Sequence, residues 1–458
     1  MKRSRNQTHH KLYALPVLRF EDQRLTSFAG LVLFQKLFAA LRLRDRLRAC
    51  FSHLGVAPIF GHHVVVLLLV LHLLLGYREL RDIRFYRDDP LIKRLLGLRR
   101  LPDVATISRV LASIDAPAVA RFRALCRRLC LDRLLLLRLR RITLDFDGSV
   151  LSTSRRAEGA AVGFNKKKRG ARSYYPLFCT IAQTGQVFDV LHRPGNVHDS
   201  RGAVEFLRAC ITAIRCTLPG VPLEARLDSA FFSNEIIGLL EDHGVEFSVS
   251  VPFERLAELK ALVEQRQRWQ RFSEEIAYFE QTWKAKAWTL KRRFVFVRQR
   301  RPMQSKGPIQ LDLFVPHEHG YDFKVIITNK AIAAAQVPAF HNGRGEQEAV
   351  FGDLKSQCQM DYIAVRRLHG NQTYLLAAVL AHNLNRELQM ATREPDRRTT
   401  EKRSPLWVFQ ELGTLRRTLI QRAGRLTRPN NKLTLTLSAN AEIRDELLRV
   451  LDALPDAA

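Results

Sequence analysis

Three acidic segments stand out in an otherwise strongly basic chain, because their carboxylates lie where a charge needs a reason to be. In ITLDFDG (residues 142–148), Asp145 and Asp147 are two apart in a β-type pattern, so both side chains point to one face of a strand that is otherwise apolar. An unpaired carboxylate there is costly, and a bound cation relieves that cost. Asp228 closes LEARLD and precedes SAFFSNEIIGLL, which places it between a strand and a helix start. Glu348 lies in HNGRGEQEAVFGDLK, where Arg344, Glu348 and Lys355 fall within about 40° of one another on a helical wheel, while Glu346 lies roughly 200° from Arg344. Carboxylates at the open ends of strands are the hard oxygen donors that Mg²⁺ takes. Two such ions, with Mn²⁺ as an alternative, suit phosphodiester chemistry: one activates a water or a 3′-hydroxyl, the other stabilises the leaving oxygen. Each residue also has a plainer reading. Asp145 can pair with an arginine, Asp228 can cap a helix, and Glu348 can belong to a solvated, salt-bridged face.

The charge balance points to a polyanionic partner. Among 458 residues, 74 Lys and Arg stand against 45 Asp and Glu, a net charge of +29. An excess of that size repels itself and is offset by phosphates, which release counterions on neutralisation. Nucleic acid is therefore the expected partner, with a ribosome-like structural binder or an anionic-membrane binder as the plainer alternatives. NKKKRGAR, from Asn165, gathers Lys166, Lys167, Lys168 and Arg169 in one loop, read as a grip on a phosphate backbone rather than as a merely solvated turn. The seven cysteines are spread widely with no CxxC pair, which excludes a zinc module and a disulfide framework and fits a reducing cytoplasm. The basic start, MKRSRNQTHH, has no apolar stretch after it and is not read as a signal peptide. The most apolar run, Val64 to Leu75, is too short to span a bilayer and is expected to be a buried helix.

These residues need elements to hold them. Length predicts two to four domains. Residues 1–140 repeat apolar residues at helical spacing, with a helix start at Pro102, Asp103 and Thr106. From Arg141 the texture changes. Strands are expected at ITLDFD, Tyr174–Ala182, Gln186–Leu191, Leu223–Asp228 and Val245–Val251, with helices at Asp199–Arg215 and Ser233–His243. Three consecutive strands followed by α/β alternation is the ribonuclease H-like order, so the fold class is α/β with a mixed sheet. Residues 141–268 would form the first part of that core and 269–330 a β-rich insertion. Residues 331–392 would complete the core with the Glu348 helix and a strongly apolar helix at Gln372–Ala391. Residues 393–458 are expected to form a loosely packed basic tail with a short helix near Trp407–Arg422. Trp269, Trp283, Trp288 and Trp407 are expected mainly in cores, with base stacking left open for Trp283 and Trp288.

Taken together, these segments resemble the DDE transposases of bacterial insertion sequences, in the branch with the YREK signature. His341, Arg344, Glu348 and Lys355 have that signature's spacing of three, four and seven, with histidine in the tyrosine position. LDFDGS, ARLDSAF and RPGNVHDS resemble the neighbouring family segments, as does GYRELRDIRFYRDDPLIKRLLGLRRLPDVATISR near the start. The resemblance implies a catalytic and metal-binding triad of Asp147, Asp228 and Glu348; Asp147 is the match rather than Asp145 because it precedes Gly148 and Ser149. It implies that His341, Arg344 and Lys355 meet DNA, and it leaves Asp145 and His198 as supports behind the triad. It further implies a helical N-terminal region that binds terminal inverted repeats, a homodimer on DNA, no membrane, and an enzyme that acts at the bacterial nucleoid in the cytoplasm, cutting element ends and joining them to target DNA. The alternative is a non-catalytic DNA-binding regulator derived from a transposase.

Overall fold

The computed structural model describes residues 15–55, 59–154, 156–163, 165, 168–197, 201–301 and 320–456. Lys166, Lys167, His198 and residues 302–319 of the expected β-rich insertion lie outside the described residues.

Five strands form the centre: β1 (Ile142–Gly148), β2 (Leu177–Ile181), β3 (Gln186–Leu191), β4 (Leu223–Leu227) and β5 (Glu246–Val251). β1, β2 and β3 run antiparallel in sequence, and β4 and β5 then add parallel on the other side of β1. This is the ribonuclease H-like arrangement that the order of strand and helix patterns predicts. Leu144, Phe146, Ala225, Leu227, Phe247 and Val249 are buried on one face of these strands and Thr143, Asp145, Glu224, Arg226 and Ser248 on the other, as central strands covered on both faces require.

Four more strands, β6 (Gln270–Arg271), β7 (Ile276–Trp283), β8 (Arg292–Arg300) and β9 (Tyr321–Thr328), extend the same sheet. The nine-strand order is β6-β7-β8-β9-β5-β4-β1-β2-β3. The insertion is thus joined to the core through β9, which pairs antiparallel with β5 and covers what would otherwise be an open sheet edge. Trp288 is buried, and Trp269 and Trp283 pack against the same core cluster.

Helices α1 (Leu31–Ala40), α2 (Leu43–Phe51), α3 (His62–Leu74), α4 (Pro90–Leu96), α5 (Val104–Ala112) and α6 (Ala116–Leu137) make up the N-terminal region. The apolar run around Val64–Leu75 is α3, buried almost all round as expected. Asp103 caps α5 by accepting from the Thr106 amide at 2.6 Å. The apolar pattern over Phe28–Phe51 is broken in two at Arg42, which takes a left-handed conformation. Helices α7 (Ala203–Thr217), α8 (Asn234–Asp242) and α9 (Ala257–Glu264) belong to the core, followed by α10 (Val337–Asn342), α11 (Glu346–Gln357) and α12 (Leu368–Thr392).

α12 is buried over most of its length and packs against α3, α5, α6 and β3, so it ties the helical region to the sheet. Its Asn383 both accepts from and donates to the Val187 backbone, at 2.9 and 2.7 Å, which satisfies groups on the edge strand β3. Among the described residues no helix is long and apolar enough to cross a membrane.

The tail differs from expectation. Gly424–Thr427 pairs with Leu25–Thr26 and with Thr434–Leu437 to form a small sheet, and α13 (Ala441–Ala453) packs on α1 and α12. Trp407, Leu412, Leu415 and Ile420 are buried. These apolar residues are scattered among arginines and prolines, so average composition hides a segment that is packed in detail. Its helical part is short: a single turn at Leu412–Leu415 runs into a wider one at Arg416–Ile420.

Candidate active site

Parallel pairing of β1 with β4 decides which side chains become neighbours. Asp145 pairs with Arg226 and Phe146 with Leu227, so Asp147 and Asp228 leave the same ends of adjacent strands. The two pairs have opposite character. Asp145 is buried and takes a bidentate ion pair from Arg226, Nε at 2.5 Å and Nη2 at 2.7 Å. The plainer reading of Asp145, an arginine pair, is therefore what the structure contains.

Asp147 is about one-fifth exposed. Its Oδ1 accepts from the Gly148 amide at 2.7 Å, and its Oδ2 accepts from Arg344 Nη1 at 2.9 Å. Burial pushes its carboxyl up to about 6, the negative charge of Asp228 adds to the rise, and Arg344 opposes it. Asp228 Oδ1 accepts from the Ala230 amide at 3.0 Å, so it also caps the short turn Ser229–Phe231. The cap and the pairing with Asp147 coexist.

α11 is held across these strand ends by its neighbours. Gln347 Nε2 donates to the Asp145 carbonyl at 3.0 Å, and the Phe351 ring lies 5.0 Å from that of Phe178, the β2 residue opposite Asp147. Glu346 accepts from Lys402 Nζ at 3.0 Å, and its negative charge adds to the rise of the Asp145 carboxyl. Glu348 is exposed on α11 and Lys355 is half-buried. Among the described residues no three His, Cys, Asp or Glu side chains are gathered closely enough to hold a metal. The structure thus brings Asp147, Asp228 and Arg344 together and does not bring Glu348 into the same cluster.

His341 is enclosed and out of reach of DNA. It is 1% exposed, with Nδ1 2.9 Å from Ser248 Oγ and Nε2 2.8 Å from Ser250 Oγ. Burial first, then the charges of Lys324, Arg344 and Arg226, push its imidazole well below the ordinary histidine range. The expected DNA contact is corrected to a packing role, fastening α10 to β5. Lys168 and Arg169 are exposed in their loop, where the Lys168 amide donates to Asn165 Oδ1 at 3.1 Å.

The sequence reading passed over Arg226. Besides Asp145, its Nη1 donates to the carbonyls of Phe340 at 3.1 Å and Lys402 at 2.7 Å, linking β4 to β1, α10 and the tail. A signal was available: Arg226 stands two residues before Asp228, as Asp145 stands two before Asp147. Gly343 was missed as well. A Cβ there would lie 1.9 Å from the Lys402 carbonyl oxygen and 2.0 Å from Arg226 Nη1, whereas a Cβ at Gly345 would meet open space. Gly343→Ala is expected to cost about 1–3 kcal/mol in urea unfolding, with Gly345→Ala near neutral as the matched control.

No curated protein matches the chain. Among solved structures it is similar to a piggyBac transposase synaptic complex with hairpin DNA, at 11% identity and a TM-score of 0.40, over 94% of this chain and 86% of that one. It is also similar to a Mos1 transposase paired-end complex with the left transposon end, at 12% identity and a TM-score of 0.18, over 37% of this chain and 57% of that one. Residues 14–458 match the family described as transposase DDE domain group 1, and the chain accordingly belongs to the DDE transposases.

Proposed function

We propose that this transposase cuts DNA at the ends of a mobile element and transfers the freed 3′-hydroxyl to target DNA, using Asp147, Asp228 and Glu348. The observation that carries the reading is the Asp147–Asp228 pair: two carboxylates at adjacent parallel strand ends, one of them buried enough to titrate near 6. The charge of Asp228 adds to the rise at Asp147, and the hard oxygen donors of the two fit Mg²⁺ or Mn²⁺. Asp147 and Asp228 would hold the cation, and Glu348, which lies outside their cluster in the DNA-free chain, would complete the set only once DNA binding brings α11 closer. When bound, a pair of such ions supplies an activated water or 3′-hydroxyl and a stabilised leaving oxygen.

The chain's own residues do the rest. Asp145, neutralised by Arg226, keeps the β1 end straight beneath Asp147. Arg344 and Lys355, on the α11 side, neutralise phosphates beside the cut. Lys168 and Arg169 hold the backbone further along the duplex. Two copies, each on one element end, would act together at DNA in the bacterial cytoplasm.

The test uses a labelled duplex carrying the element's terminal repeat, with Mg²⁺. Nicking and strand transfer are expected, and Glu348→Ala should remove both while Glu346→Ala retains them. Normal cutting by Glu348→Ala with loss in Glu346→Ala would overturn the assignment of the third carboxylate. DNA binding with no cutting by the parent protein would leave only the non-catalytic regulator.

A further inference from the structure

Arg344 sits on the very carboxylate that the proposed reaction needs free. Its Nη1 donates to Asp147 Oδ2 at 2.9 Å, and both side chains are about one-fifth exposed, so the pair can be reached from solvent. A guanidinium and a divalent cation compete for the same oxygen, and their like charges repel. Arg344 also lies in a cationic neighbourhood. Lys324, which donates to Asn342 Oδ1 at 2.9 Å, is drawn down to about 8 by burial and then by the charge of Arg344. Such a neighbourhood favours an incoming anion, and a phosphodiester offers Arg344 a partner equivalent to a carboxylate.

We propose that Arg344 is a latch: without DNA it occupies Asp147, and a DNA phosphate draws it away, so that the divalent cation loads after DNA has bound. This rests on the reading of Asp147 as a cation ligand. The device keeps the carboxylate pair from holding a reactive cation when no substrate is present. It also makes DNA and cation binding mutually supportive, since by linkage each must tighten the other by the same factor.

The experiment reads cation binding directly. The full chain, freed of metal with EDTA and dialysed, is titrated with Mn²⁺, and the free ion is followed by its EPR signal, with and without a duplex oligonucleotide. Asp147→Asn with the same duplex subtracts the ions held by DNA itself. The duplex is expected to tighten Mn²⁺ binding to the parent protein about tenfold, the equivalent of one charge-assisted hydrogen bond. Arg344→Ala should bind Mn²⁺ without DNA as tightly as the parent does with it, and the duplex should add nothing further. Arg344→Gln, which keeps the shape and removes the charge, serves if the alanine variant does not fold.

Equal Mn²⁺ affinity of the parent with and without the duplex overturns the latch. So does a full duplex effect persisting in Arg344→Ala or Arg344→Gln, because simple loss of a positive charge would leave that effect intact. If Asp147→Asn binds Mn²⁺ as the parent does, the ligand assignment itself fails, and the latch with it.

Discussion

Asp147→Asn is expected to lower end cleavage on the order of a thousandfold or more, about 4 kcal/mol of lost transition-state stabilisation, while making the metal-free protein more stable at neutral pH. The two effects share one cause. The folded chain holds Asp147 beside Asp228 in a partly buried place, and its carboxyl is pushed up from the ordinary value to about 6. A raised carboxyl binds its proton more tightly in the folded state, so ionising it opposes folding. The stability is therefore fully present below pH 4 and is lost as pH rises through 6. Above that, the ionised carboxylate costs on the order of 2–3 kcal/mol. Asparagine keeps the shape and has no charge to ionise. Thermal unfolding in EDTA should give a higher midpoint for Asp147→Asn than for the parent at pH 7.5, with the difference vanishing near pH 4. A variant less stable than the parent at pH 7.5 would mean that the Arg344 contact outweighs burial and the Asp228 charge.

Arg226→Leu is expected to be the most damaging single change outside the carboxylate pair. Arg226 is fully buried and is the bidentate partner of Asp145, which is itself 1% exposed. Burial raises the Asp145 carboxyl, and the charge and hydrogen bonds of Arg226 counter that rise. Removing the arginine strands a carboxylate in the sheet, which costs about 3–5 kcal/mol. The Phe340 and Lys402 carbonyls lose a donor in the same step. A denaturation cycle separates these contributions. Asp145→Leu combined with Arg226→Leu should recover most of the loss, because an apolar pair of similar volume replaces the ions. The part not recovered belongs to the two carbonyls, about 1 kcal/mol each. If the double variant is as unstable as Arg226→Leu alone, the arginine acts mainly through α10 and the tail rather than through Asp145.

Part of this site was readable from residue type and spacing. A charge in an apolar strand is expensive enough to demand a partner, which is why Asp145, Asp147 and Asp228 could be picked out. The helical wheel was less informative: Arg344 lies in the tighter turn Gly343–Gly345 ahead of α11, so it reaches Asp147 without Glu348 following it there. Residue type could not decide burial. His341 occupies a signature position, yet it is enclosed between Ser248 and Ser250, which lie more than ninety positions away along the chain on β5. The tail was misread for a related reason. Its apolar residues follow no helical or strand period, and they find their partners on α12 and near residue 25, far away in sequence.

By itself the sequence determined the order of strands and helices through the core, the basic composition suited to DNA, and the few acidic residues placed where a charge needs a partner, since local periodicity and the cost of an unpaired charge act at short range. Only the tertiary structure decided how those acids divide their work. Strand register set Asp145 against Arg226 and Asp147 beside Asp228, and the turn Gly343–Gly345 ahead of α11 put Arg344 on Asp147. Register and helix seating are set by contacts between residues distant along the chain, and no local pattern encodes them.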